Sequence, residues 1–273
     1  MVMSTGLSRP AGGVLAQRFA SSDPALRRPS AVFVALLGLC IVGGWLAWSG
    51  SGSSRVGVFV LVVAGWLVSL CLHEYAHART ANHAGDTSVA DKGYLTLNPL
   101  RYSDVGLSIV LPMLLVLLGG IGLPGGAVWV DRSRIPGKVR HTLVSAAGPL
   151  VNVALAVAVL LPVSWAGLDL VAHLDFWSAL AFLGFLQVTA SLLNLLPVPG
   201  LDGFGIWEPW LPRAWVRSAQ QFSGLGLLVL FGLLLIPPVN RAFFDIVDRI
   251  VTALGVPSGL VAFGDTLFRF WTN

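Results

Sequence analysis

Residues 73–77 read His-Glu-Tyr-Ala-His, an HExxH pattern. A helix turns by about 100° per residue, so His73 and His77 fall on one face a single turn apart, where both imidazoles can hold one metal ion, with zinc the metal this spacing suits. Glu74, beside the first imidazole, can reach a metal-bound water and take its proton. Cys71 lies two residues before His73, about 200° round the helix, and points away from that face. His83, His141 and His173 fall beyond the helix end, at a helix start and in a loop, and read as interfacial or solvated side chains.

The setting strengthens the metal reading. The chain has 273 residues, of which 55% are hydrophobic and only 11% charged, with a mean hydropathy of +0.80. A soluble domain carries about 25% charged residues, so this is a membrane protein. Ionisable side chains at membrane depth cost at least about 2.5 kcal/mol each and are seldom accidental. The basic residues sit in short clusters between apolar runs, where they set orientation and do not mark a nucleic-acid partner. Cys40 and Cys71 both lie within apolar runs and read as buried thiols.

Two nitrogens leave a catalytic zinc site one protein ligand short. An acid at the edge of another apolar run is therefore wanted, and Asp202 in Asn194-Leu-Leu-Pro-Val-Pro-Gly-Leu-Asp202-Gly203 meets the description. Taken alone, Asp202 fits better a polar turn that caps the next helix.

HEYAHA followed by NLLPVPGLDG resembles the site-2 protease family of intramembrane zinc metalloproteases, whose pattern is HExxH plus NxxPxPxLDG. Ala147-Gly148-Pro149-Leu150-Val151-Asn152 is similar to the family's GPxxN helix, and Leu97-Asn98-Pro99-Leu100 to a segment of its compact bacterial branch, which lacks an appended sensor domain. The resemblance spans about residues 60 to 205. It implies one zinc per chain held by His73, His77 and Asp202, Glu74 as catalytic base, and Asn194 near the site or the bound substrate. The chain departs from the pattern after the DG pair, at Phe204-Gly205-Ile206-Trp207, and after Asn98-Pro99, at Arg101-Tyr102-Ser103-Asp104.

The elements that must carry these residues are membrane helices. A hydrocarbon core about 30 Å thick takes roughly 20 apolar residues, and six runs qualify: 31–49, 56–72, 106–130, 142–163, 176–196 and 222–238. The expected fold is thus an all-α polytopic membrane protein of five to six transmembrane helices. Three parts follow: a segment at 1–30, a transmembrane metalloprotease domain at 31–238, and an amphipathic, interfacial tail at 239–273. The leading segment carries Arg9, Arg18, Arg27 and Arg28 against Asp23, which puts the N-terminus in the cytoplasm of a multi-pass protein of the cell membrane.

Run three holds Pro112, Pro124 and five glycines between 119 and 126, and by itself fits a re-entrant hairpin or one kinked span. Asp202 can share a metal with His73 only if an even number of crossings separates them. Runs four and five supply two, so run three must be the hairpin. Arg132, Arg134, Lys138 and Arg140 after it, against Asp131, agree with a cytoplasmic position.

The implied activity is zinc-dependent hydrolysis of peptide bonds within or near transmembrane helices of membrane-protein substrates, as in regulated intramembrane proteolysis. Two other classes fit parts of the chain: a transporter or channel whose HExxH lines an ion path, and a catalytically silent relative that binds membrane helices.

Overall fold

The computed structural model describes residues 28–50, 53–102, 128–167, 169–221 and 223–272, with residues 106, 110, 113, 114 and 116 between the second and third of these stretches. The principal helices are α1 (Ala31–Ser49), α2 (Ser54–Ala84), α3 (Lys138–Ser164), α4 (Leu174–Asn194), α5 (Asp202–Trp207), α6 (Arg213–Gln221), α7 (Ser223–Leu234), α8 (Pro237–Ala253) and α9 (Ser258–Phe268). The architecture is all-α. Four helices, α1 to α4, are long and apolar enough to cross a membrane, and a fifth crossing arises only if the bent pair α7 and α8 is one span. The five to six expected from run counting therefore becomes four or five among the described residues.

The helices pack where small residues let backbones approach, as is usual where lipid supplies no hydrophobic drive between them. At the α1–α2 crossing, a side chain on Gly43 would meet the backbone of Leu61 at 2.6 Å, and one on Gly57 the backbone of Ala47 at 2.6 Å. The outer face of α1 leaves Val34, Ile41, Val42 and Trp45 exposed, as a lipid-facing stripe should. Helix α4 runs through the centre and is mostly buried. Inside the bundle the Gln187 amide of α4 donates to the Ser69 hydroxyl of α2 at 2.8 Å, so this polar pair is partly satisfied away from water.

Contacts between chain ends fix the topology. Ser30 N, just before α1, donates to Thr96 O beyond the end of α2 at 2.8 Å. Arg140 Nη1, near the start of α3, donates to Ala84 O, the last residue of α2, at 3.4 Å. On the opposite side His173, before α4, donates from Nδ1 to Trp48 O at 2.9 Å and stacks on the Trp48 ring at 3.6 Å. The end of α2, the start of α3 and the end of α4 thus share one side of the bundle. The hairpin expected at 106–130 falls largely outside the described residues. Its flanks meet α2 one turn apart: the Tyr102 hydroxyl donates to Cys71 O at 3.5 Å, and Val128 N donates to a Glu74 oxygen at 2.9 Å. The leading segment expected at 1–30 is described only from Arg28.

The C-terminal third departs from expectation. Run six is not a single rod: α7 has 12 residues, about 18 Å at 1.5 Å per residue, and turns by 90° into α8. Pro237 and Pro238 explain the break, since neither can donate to the preceding turn while both suit the start of a new helix. The tail is also more than an interfacial appendage. Val247, Val251, Val256, Leu260, Val261 and Phe268 join the main core, and the Phe268 ring sits between Phe59 of α2 and Phe182 of α4 at 5.5 and 5.4 Å. Helix α9 lies so close to α4 that a side chain on Gly264 would run into the Ser178 carbonyl. Gly264→Leu should therefore destabilise the protein by about 1–3 kcal/mol, the usual cost of overpacking. A lowered thermal midpoint in detergent, with earlier proteolysis of residues 237–273, is the expected readout.

Candidate metal centre

Helix α2 carries the first three groups. It has 31 residues, about 46 Å at 1.5 Å per residue, so it outruns the bilayer core and delivers its last third to the membrane edge. His73, Glu74 and His77 are all buried there. The fourth group arrives from the end of α4. Leu195 to Leu201 fold into tight turns, Val198 N donating to Leu196 O at 2.8 Å and Leu201 N to Val198 O at 3.0 Å. Gly200 takes a φ of +101° that favours glycine. Thr142 Oγ1 of α3 donates to Ile206 O at 2.9 Å and ties α5 down. Asp202 is then the first residue of α5, whose cap position is Leu201. Its carboxylate faces the two imidazoles, so the capping alternative is not the one the fold adopts.

His73 Nε2 and His77 Nε2 lie 3.0 Å apart, and Asp202 Oδ2 lies 3.1 Å from the first and 3.2 Å from the second. Tetrahedral zinc with bonds of about 2.05 Å needs ligand atoms about 3.3 Å apart, so this triangle is of the right size. Its chemistry agrees. His77 donates from Nδ1 to the Val144 carbonyl at 2.6 Å, which in the neutral ring leaves a lone pair on Nε2. A neutral His77 and an ionised Asp202 then have no proton between them, and three such contacts cannot all be hydrogen bonds. A shared cation resolves the conflict. His73 Nδ1, by contrast, is buried with no partner among the described residues.

Glu74 stands one step back. Its Oε1 is 3.9 Å from His73 Nε2, and ligand atoms of His73, Glu74 and His77 all fall within 4.8 Å of one another. The other oxygen, Oε2, accepts from Val128 N at 2.9 Å. Val128 to Val130 belong to no helix or strand, and the buried Asp86 anchors the segment that follows by accepting from Asp131 N at 2.7 Å and from Ser88 N and Oγ at 3.0 and 2.6 Å. Lys92 adds a bond from Nζ to Trp129 O at 3.2 Å.

The centre opens on one side. The side chains of His73, Glu74 and His77 are at most 8% exposed, whereas Asp202 keeps 24%. Asp202 faces a cavity of about 360 Å³ whose wall includes Arg132, Ser145, Gly205, Glu208 and Gln220. The Asp131 carboxyl is held below the usual carboxylate range, chiefly by the Ser133 hydroxyl, with Arg134 adding to it.

Four of the five expected residues, His73, Glu74, His77 and Asp202, come together. Asn194 is buried at the last position of α4 but forms no hydrogen bond with the other four among the described contacts. His83, His141 and His173 stay outside: His141 Nε2 donates to Ile135 O at 3.0 Å, and His173 stacks on Trp48. Sequence reasoning missed the role of Gly148. A side chain there would collide with Nε2 of both His73 and His77, so α3 presses bare backbone on the centre. One turn on, the buried Asn152 Oδ1 has no partner among the described residues. It also missed Asp86, whose only signal was a lone acid directly after a membrane helix.

Comparison with known proteins bears on the chemistry. Over 249 residues the chain is 48% identical to a predicted zinc metalloprotease, Rip2, of Mycolicibacterium smegmatis, covering 90% of this chain and 95% of the relative. It is 50% identical over 252 residues to Rip2 of Mycobacterium tuberculosis strain H37Rv, with the same coverage. A predicted zinc metalloprotease of Bacillus subtilis, YwhC, is 30% identical over 207 residues, covering 70% of this chain and 90% of the relative. No protein-family model and no solved structure matches the chain.

Gly148→Ala tests the geometry of the centre. The added methyl should displace one imidazole and reduce bound zinc by at least tenfold while the helical circular dichroism is unchanged; zinc content of purified protein is the measurement.

Proposed function

This chain belongs to the site-2 protease family of zinc metalloproteases, and on that premise we propose that it cuts peptide bonds within or beside transmembrane helices of other membrane proteins, as in regulated intramembrane proteolysis. The observation that carries the reading is the convergence of His73 Nε2, His77 Nε2 and Asp202 Oδ2 within 3.2 Å, at the end of a helix long enough to span a bilayer. In this reading those three residues hold the zinc and Glu74 is the catalytic base. Zinc, when bound, polarises the scissile carbonyl and lowers the pKa of a water.

The chain's own residues do the rest. Val128 N holds one oxygen of Glu74, leaving the other on the side of His73 to accept the water proton and return it to the departing amine. Water enters through the cavity at Asp202. A substrate helix has its carbonyls hydrogen-bonded, so it must unwind before hydrolysis. Residues 128–130, outside any helix or strand and tied to Glu74 through Val128 N, offer main-chain groups along which an unwound segment can lie, as in strand addition. The family pattern assigns Asn194 to the neighbourhood of the bound substrate. The basic residues Arg79, Lys92, Arg132, Lys138, Arg213 and Arg217 gather on the side of the centre, which favours a cytoplasmic active site and N-terminus in the plasma membrane.

Glu74→Gln should keep about one zinc per chain while slowing cleavage by about 10²–10⁴-fold, the usual weight of a general base. Asp202→Ala should lose the zinc itself. Membrane proteins that accumulate in cells carrying Glu74→Gln in place of the native chain would be the substrates. Native-rate cleavage by the Gln variant would remove the mechanism.

A further inference from the structure

A second cavity, of about 560 Å³, opens beside the first and shares Arg132 and Glu208 with it. Its wall also carries Lys138, His141, Arg213 and Arg217, so Glu208 is the one acid among five basic residues. That acid is already engaged: Arg132 Nη1 pairs with Oε2, and Gln220 Nε2 donates to Oε1 at 2.8 Å. Lys138, Arg213 and Arg217 have no acidic partner among the described residues; Lys138 lies over the Trp210 ring at 5.5 Å. Gly137 and Lys138, the cap and first residue of α3, line the cavity, and no side chain caps that helix. The cavity is thus rich in unneutralised donors for an anion of headgroup size.

Its position selects the source of the anion. Lys138 begins a membrane-crossing helix, so the cavity lies at the level where headgroups begin. Trp129, Trp207, Trp210 and Trp215 stand exposed on this side, the signature of a membrane–water boundary. Basic recesses between membrane helices at this level suit anionic headgroups. We propose that this cavity binds the phosphate of an anionic phospholipid, held by Lys138, Arg213 and Arg217. Arg132 and Glu208 line both cavities, so their ion pair stands between the bound phosphate and the cavity at Asp202. The site lies outside the proteolytic centre, and binding is read without cleavage, so it stands or falls apart from the protease reading.

The test uses the full chain in detergent, titrated with dihexanoyl phosphatidylglycerol, dihexanoyl phosphatidylcholine and inorganic phosphate, with bound ligand counted by native mass spectrometry. Phosphatidylglycerol should bind at least tenfold more tightly than the other two. The Lys138→Gln, Arg213→Gln, Arg217→Gln triple variant should lose on the order of a hundredfold in that affinity, each removed cation near an anionic lipid being worth about fivefold. Zinc content checks that the variant has folded, and Arg217→Gln alone, at an exposed position, gives the smaller step if the triple does not. Equal binding of both lipids, binding unchanged in the variants, or inorganic phosphate binding as tightly as the lipid would overturn the proposal.

Discussion

Two imidazole nitrogens and a carboxylate oxygen within 3.2 Å of one another, largely shut off from water, repel unless something positive is shared among them. Much of the rest of the molecule serves to hold that unfavourable triangle together. Helix α2 supplies two corners from one face, and the turns after α4 supply the third. Helix α3 presses on it through Gly148, where no side chain stands in the way. The Val144 carbonyl fixes one imidazole from behind. The contacts draw on α2, α3 and the end of α4, yet all belong to the same side of the bundle, which is what an even number of crossings between the two motifs requires.

The centre was legible because its residues are costly where they are. In a chain with few charges, a His-Glu-His cluster continuing an apolar run and an Asp between two glycines both stand out, and helical periodicity relates the first group without further information. The spans were legible for the same reason, since α1, α2, α3 and α4 begin and end within a few residues of the apolar runs except where α2 continues past its run to carry the motif. The link between the motifs was less accessible. No local rule says that Asp202 meets His73, 129 residues away; that step came from family resemblance.

What composition hid were contacts made by residues with little or no side chain, and by the main chain. Gly148 matters through what it lacks. Val128 matters through its backbone N–H, which any residue but proline would offer. Asp86 organises the loop that aims Val128, although it sits far from the imidazoles in function and looks like an ordinary polar turn. Run six misled for a different reason: hydropathy averages over Pro237 and Pro238, whereas the backbone breaks there. The tail misled because alternating apolar and charged residues describe a half-buried helix equally well whether its apolar face meets lipid or protein, and here it meets α4.

That last contact has a mechanical consequence. A helix that slips along its axis by one residue carries its end with it by about 1.5 Å, whereas metal–ligand distances tolerate only about 0.2 Å. Asp202 hangs from the end of α4, and the first half of α4 is gripped by α9, at Ser178 against Gly264 and at the Phe182–Phe268 contact. The axial register of α4 is therefore set in part by residues some sixty positions downstream of the aspartate they align. The C-terminal helix acts as a detent for the metal centre.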